Sequence, residues 1–527
     1  MTDFDALIQK HRKRGRGAGT ADPVDAVKFN VFGGRVQVFD RGILGISNNG
    51  LLTRGSEWAF RAVTDDRGRG IQPVSHISLP PVPRPQSGTI DKSVIMRIHF
   101  ALIPLLLAAT CAHAQSAPVA FTGARVIPID GPEIPNGVLV VENGKITAVG
   151  PAASVAIPAD ATRIDASGKI IMPGLIDSHS HIGAPEGADS SSPIQPDVRV
   201  LDSINVRDAT IEKARAGGIT TANVMPGSGH LLSGQTLFLK LRPARTIDDL
   251  LILLPDGRIA GGMKMANGTN SRRPPPFPGT RAKSVALVRE QYIKAQEYRN
   301  KIRLAAGDRT KMPPRDLAME GLVEVLDGKR TVMFHTHRDD DILSVLRLAG
   351  EFHFRVVLHH ASDAWMVAPE IKAAGVPVSL TVLDSPGGKL EAKDVNMKTA
   401  AILERAGILV GFNTDDSITD SRLFLRSAAL GVRGGMSREK ALYGVTMANA
   451  RMLDLDSRIG SLAPGKDADF ILLSGDPLSV YTHVLETWID GAKVFDRSVP
   501  KDRLFATGGY GASADQAPPF LDDEANR

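Results

Sequence analysis

Cysteine is almost absent from this chain of 527 residues: Cys111 is the only one. A lone thiol excludes an internal disulfide framework and the cysteine-rich zinc sites. The apolar run Ala101–Thr110 is about half of the roughly 20 residues that a membrane-spanning helix needs. No Gly-x-Ser-x-Gly elbow surrounds Ser178 or Ser180, so neither serine reads as a nucleophile. No glycine-rich phosphate loop stands between a strand and a helix.

A basic partner surface is missing as well. The formal charge is +5, but residues 1–114 alone hold 15 Lys+Arg against 9 Asp+Glu. The remainder is close to neutral, so the surplus gives no reason to expect nucleic acid as a partner. Residues 1–95 show no sustained helical or strand period and read as a disordered extension or one lying outside the translated protein. From Met96 the pattern changes. Met96-Arg97-Ile98-His99-Phe100 precedes the apolar run, and Ala112-His113-Ala114-Gln115 follows it. That is the form of a secretory signal peptide over 96–114, with translation starting at Met96. An exported, periplasmic protein without a stable membrane anchor is expected. Cys111 would leave with the signal, so any metal must be held by His, Asp, Glu or modified Lys.

Residues 118–172 read as short strands with an Asn143-Gly144 hairpin turn, and residues 460–504 as further strands. Together they predict a small composite β-domain made from both ends of the mature chain. Residues 505–527 read as a polar tail. Between them, over 173–459, strands alternate with helices, which predicts an α/β fold with a parallel sheet. With both ends engaged elsewhere, closure as a (β/α)8 TIM barrel is expected. Residues 227–279, rich in Gly and Pro, read as an insertion or long active-site loops. The helix expected over 341–349 should end at Gly350.

Chemistry concentrates at strand ends. In Pro173-Gly174-Leu175-Ile176-Asp177-Ser178-His179-Ser180-His181, apolar Ile170, Ile171, Leu175 and Ile176 predict a buried strand. His179 and His181 close it two residues apart, so both imidazoles point one way and can reach one ion. Val332-Met333-Phe334-His335-Thr336-His337, Val356-Val357-Leu358-His359-His360 and Val410-Gly411-Phe412-Asn413-Thr414-Asp415-Asp416 put further donors just past apolar strands. His230 in Pro226-Gly227-Ser228-Gly229-His230 is a candidate pocket residue or a plain loop residue.

The stretch Pro173 to His181 resembles the hallmark of the amidohydrolase superfamily, and the imidazolonepropionase- and prolidase-like branch in particular. Gly460-Ser461-Leu462-Ala463-Pro464-Gly465-Lys466-Asp467-Ala468-Asp469 resembles that family's return to the small β-domain, described for its members as a β-sandwich. The resemblance covers about residues 118–500. It implies metal ligands at His179, His181, His335, His360 and Asp415, with His337 beside the substrate. Asp416 would be a solvated or capping neighbour. For a second-metal bridge it offers a carboxylated Lys264, with Lys240 as rival. Relatives with a glutamate bridge carry Gly-Glu-Asn where this chain has Gly268-Thr269-Asn270, so that bridge is not expected. Zinc suits imidazole and carboxylate ligands, as do manganese and iron, in one ion or two. The implied chemistry is hydrolysis of an amide or cyclic amide C–N bond of a small molecule. Asp415 and His337 would be the catalytic groups. Deaminase, lactonase and dipeptidase activity are the alternatives on the same barrel. Homo-oligomerisation is left open.

Overall fold

The computed structural model describes residues 117–185, 189–381 and 389–508, and one antiparallel pair, β1 (Asn30–Phe32) with β2 (Arg35–Gln37). That pair belongs to one compact unit, Met1–Leu102, and everything below belongs to a second, Ile103–Arg527. The expected signal at 96–114, and the tail beyond residue 508, lie outside the described residues. Among the described residues, no helix is long and apolar enough to cross a membrane.

In chain order the strands are β3 (Val119–Val126), β4 (Ile134–Glu142), β5 (Lys145–Pro151), β6 (Thr162–Asp165), β7 (Ile170–Pro173), β8 (Leu175–Ser180) and β9 (Ile219–Val224). Then come β10 (Leu232–Gln235), β11 (Leu237–Lys240), β12 (Met263–Ala266), β13 (Val332–Thr336), β14 (Val356–His360), β15 (Val378–Leu380) and β16 (Val410–Phe412). The last three are β17 (Phe470–Leu473), β18 (Val484–Ile489) and β19 (Ala492–Asp496).

The composite β-domain is present. Strands from both ends join one sheet in the order β19-β18-β17-β7-β3-β4-β5, with β6 on β3. The expected sandwich is thus a single eight-stranded sheet in its hydrogen bonding. Asn143 and Gly144 both have positive φ, +51° and +76°, as a tight hairpin turn requires. The sheet's core is aromatic: Phe470 stacks on Trp488 at 5.5 Å, and Phe121 meets both edge-on. The helix Pro500–Thr507 caps the end of this region and crosses the boundary expected at residue 504.

Gly174 separates two strands that the sequence pattern presents as one. β7 pairs with β17 in the β-domain, while β8 pairs with β9 in the second layer. A side chain at Gly174 would come within 2.2 Å of Thr220 Cγ2, so only glycine lets the chain pass there.

The α/β layer consists of two sheets. The larger runs β10-β12-β13-β14-β15-β16, parallel from β12 onward, and the smaller runs β11-β9-β8. Their edges adjoin twice. Asn449 Nδ2 donates to the Ile176 carbonyl of β8 and the Phe412 carbonyl of β16, both at 2.6 Å. On the other side β10 continues into β11 through Thr236, antiparallel to β12 and to β9. Residues 227–279 are therefore not merely loop, since they hold β10, β11 and β12. Their period-2 signal is short and diluted by Gly and Pro, which is why the pattern missed them. The helix Asp339–Phe352 packs Ile342, Val345, Leu348 and Phe352 inward and runs through Gly350 to His353 at φ +59°.

A buried ionic cluster links the layers. Lys240 Nζ lies 2.6 Å from Asp467 and 3.1 Å from Asp469, and it also bonds Asp490. Burial disfavours its charge, but the three carboxylates outweigh that and raise its pKa. These aspartates approach one another as metal ligands would, yet the ammonium occupies their centre. Lys240 is thereby a structural counter-ion and not a rival to Lys264.

Candidate active site

β8, β12, β13, β14 and β16 deliver their polar side chains to one end of the α/β layer. Buried apolar residues precede each donor, so the strand is fixed by packing and the imidazole emerges where the strand stops. His179 is fully buried in β8, and His181 follows one residue beyond it. His179 Nε2 and His181 Nε2 lie 3.3 Å apart and stand 3.3 Å and 3.1 Å from Asp415 Oδ1. His360 Nδ1 is 3.8 Å from Asp415 Oδ2. Lys264 Nζ, from β12, reaches His179 Nε2 at 3.2 Å. His335 packs its ring 4.4 Å from that of His360, and the His337 ring stacks on His360 at 5.2 Å. All seven residues expected at the site are together.

Two backbone positions are strained here. His360 has φ +66° and Asp415 +46°, a region that costs non-glycine residues about 1 kcal/mol or more. Each residue turns its side chain inward at a strand end, and such outliers concentrate at functional sites.

The electrostatics suit neutral donors around a firm anion. Burial holds His179, His335, His359 and His360 well below the usual imidazole range, and it pulls His337 down to about 4. Burial alone would push the Asp415 carboxyl up. His360, His181 and Lys264 outweigh it and hold the group well below the carboxylate range. The Met225 carbonyl, 2.8 Å away, accepts a hydrogen bond from His181 Nδ1–H, which leaves Nε2 as a lone-pair donor. His179 Nδ1, His335 Nδ1 and His360 Nε2 are buried without a hydrogen-bond partner. Unmet buried nitrogens on several converging rings, with one carboxylate among them, fit a divalent cation. His179, His360 and Asp415 offer ligand atoms within 4.8 Å of one another.

A cavity opens directly onto this cluster. His335, His337, His360, Thr381, Lys389 and Asp415 are among the residues lining it. His230 is not among them. Its Nε2 meets the Asp189 carbonyl at 2.8 Å and its ring packs on Phe277, so it stabilises a loop. His359 turns the other way, toward Met333. Asp416 is buried rather than solvated, accepting from Ser421 N at 3.0 Å.

Two residues that the sequence pattern passed over matter here. Asp177 is fully buried and binds the amides of His179 and Thr414, and burial raises its pKa to about 7. It shares the strand face of His179 and His181, and that period of two was the available signal. Glu391, buried beside His335 and His337, comes from the 3-10 helix Leu390–Ala392, too short to leave a pattern to read.

The chain is similar to known proteins. The profile of the amidohydrolase family matches residues 170–496. The amidohydrolase tasK of Hapsidospora irregularis is 28% identical over 400 residues, covering 69% of this chain. The chain spans only 40% of that relative's length. The imidazolonepropionase of Cupriavidus taiwanensis is 28% identical over 390 residues, 64% of this chain and 84% of the relative. The crystal structure of an amidohydrolase from Thermotoga maritima MSB8 is 33% identical, covers 72% of this chain and 100% of its own, and superposes with a TM-score of 0.68. With the profile spanning most of the chain and the clustered imidazoles in place, this protein belongs to the amidohydrolase family, metal-dependent hydrolases of carbon–nitrogen bonds.

Proposed function

We propose that the protein hydrolyses an amide or cyclic amide C–N bond of a small molecule, using a divalent cation held by His179, His181, His360 and Asp415. His335 borders the same position, and Lys264 stands where a carboxylated lysine would join. The observation that carries this reading is the convergence of imidazoles from two strand ends, β8 and β14, on the Asp415 carboxylate. The likeness to an imidazolonepropionase supports the cyclic-amide substrate class. Zinc fits the ligand types best, ahead of manganese and iron. The two adjoining sheets support closure as a (β/α)8-type barrel, with the antiparallel run β10–β11 in third place. The segment from Met96 supports export to the periplasm.

A divalent cation held by these residues would supply Lewis acidity, lowering the pKa of water toward neutrality. Asp415 accepts the proton of the attacking water and returns it to the leaving nitrogen. Its low pKa keeps it ionised. The Met225 carbonyl and Thr381 hold the rings of His181 and His360 in their orientations. The buried walls at β8 and β14 keep bulk water from the imidazoles. His337 faces the cavity on the substrate's carbonyl side.

Elemental analysis of the purified protein, followed by a panel of cyclic amides, N-acyl amino acids, dipeptides, aminopurines and lactones, tests the assignment. Bound metal with turnover of a cyclic amide or N-acyl compound supports it. Absence of metal, or turnover confined to lactones, would overturn it. Asp415→Asn should abolish turnover while leaving the fold intact by circular dichroism.

A further inference from the structure

The cavity at the imidazole cluster is also lined by Lys389, Asn396 and Thr399. These three come from one stretch, which follows β15 and ends at the first residue of the helix Thr399–Arg405. The polar residues of the cavity divide by what already holds them. Ser362 Oγ engages His337 Nδ1 at 2.8 Å. Thr381 Oγ1 donates to Asn413 Oδ1 at 2.8 Å and also meets His360 Nδ1. Both hydroxyls are thus spent on orienting imidazoles. Thr399 is buried, and its Oγ1 has no hydrogen-bond partner. Asn396 Oδ1 accepts from Lys398 N at 2.9 Å, which leaves Nδ2 to donate.

Charge in the cavity is lopsided. Among the described residues that line it, Asp415 is the one carboxylate, and it faces His179 and His181. Glu391 is not part of the lining. It is buried beside His335 and His337, accepts from Thr269 N at 2.7 Å and has Arg281 3.8 Å away. The field of Lys389 reaches the imidazoles: burial does most to lower the His337 pKa, and the Lys389 charge comes next. A buried hydroxyl without a partner is costly until an acceptor reaches it. The ammonium in the same cavity favours an acceptor that is negative. A carboxylate carries one charge to match one lysine, and its two oxygens can also accept from the Thr399 hydroxyl and the Asn396 amide. We propose that Lys389, Thr399 and Asn396 bind a carboxylate of the substrate and so place its scissile amide at the imidazole cluster. Leu380, Val395 and Ile418 line the same cavity and suit an apolar carbon skeleton between the two groups. This rests on the functional reading above and narrows its substrates to amides with a free carboxylate, such as N-acyl amino acids and carboxyl-bearing cyclic amides.

Matched compounds test this on the zinc-loaded full-length protein. N-acetyl-L-leucine is assayed beside N-acetyl-L-leucinamide, and L-pyroglutamate beside its carboxamide, with acetate release or ring opening as the readout. Each carboxamide keeps the shape of its acid and lacks the charge. Wild type should prefer the acid by roughly 10- to 100-fold in kcat/KM, the range for hydrogen bonds to a charged group. Lys389→Met should erase most of that preference, raising KM for the acid more than it lowers kcat, and Lys389→Arg should retain it. Thr399→Val should weaken it too, which keeps the test decisive if the Lys389→Met protein does not fold. The full preference kept in both Lys389→Met and Thr399→Val, or no preference for the acid in wild type, would overturn the carboxylate site and leave the hydrolase reading standing. So would an equal drop in kcat for acid and carboxamide with KM unmoved. If neither pair turns over, calorimetric titration with N-acetyl-L-leucine decides. Weaker binding to Lys389→Met than to wild type upholds the site, and equal or absent binding in both sinks it, while the hydrolase reading stands or falls on bound metal and its wider panel.

Discussion

Asp177 and Thr414 lock together beneath the imidazole cluster: Asp177 Oδ1 accepts the Thr414 amide at 3.1 Å, and Thr414 Oγ1 donates to Asp177 Oδ2. The same Oδ1 accepts the His179 amide at 3.2 Å. One carboxyl therefore sets the distance between the strand end that carries His179 and the loop that carries Asp415. Replacing Asp177 by Ala strands two buried amide donors. We expect a loss of about 2–6 kcal/mol, from roughly 1–3 kcal/mol per unmet group. Chemical denaturation should show it, and metal affinity should fall in the folded fraction. An unchanged denaturation midpoint would contradict this account.

The two buried lysines should separate cleanly by experiment. Lys240→Met leaves Asp467, Asp469 and Asp490 facing one another without their cation. Breaking such a buried pair costs about 3–5 kcal/mol, so thermal stability should drop sharply while metal per folded chain is kept. Lys264→Met should act in the opposite sense, sparing stability and altering metal content or turnover. Equal effects from both would refute the division of roles.

Acid stability depends in part on Asp467. Burial pushes its carboxyl up, but Lys240, Lys145 and Arg458 outweigh that and hold it near 2, below the unfolded value of about 3.9. A depressed carboxylate stabilises the fold above the unfolded pKa and loses that contribution as pH falls through the folded one. Denaturation midpoints of wild type should therefore fall between about pH 4 and pH 2. In Asp467→Asn the slope over that window should be shallower and the plateau at neutral pH lower. Parallel curves for the two proteins would exclude this contribution.

Removing metal should loosen the site end of the fold. A ligand that binds only the native state adds about 2.7 kcal/mol at a hundredfold excess over its Kd. Dialysis against a chelator should lower the melting temperature by several degrees, and Zn2+ should restore it. Calcium should not, because imidazole donors suit it poorly. Differential scanning fluorimetry reads this without any substrate, and equal melting curves before and after chelation would rule it out.

Much of the site was legible because its signals are local. His179 and His181 share a face through the two-residue period of a strand, and His335, His360 and Asp415 each follow an apolar run that must be buried. The Asn143-Gly144 turn carries its own backbone preference. The third-position run β10–β11 was not legible, since Gly234, Gln235 and Thr236 interrupt its apolar pattern. Gly174 was ambiguous for a related reason: a continuous apolar stretch does not reveal that its two halves pair in different sheets.

From its amino acids alone this chain determines which elements form and which strand ends carry donors, because periodicity and burial are properties of neighbours in sequence. Tertiary structure decides what meets across the fold. It chose between Lys240 and Lys264 by enclosing one in carboxylates and setting the other against His179. It also brought Glu391 to His335 and His337 from 54 to 56 residues away, on a 3-10 helix too short to show a period. Such meetings depend on packing in three dimensions, and nothing in the spacing of residues along the chain encodes the distance between them.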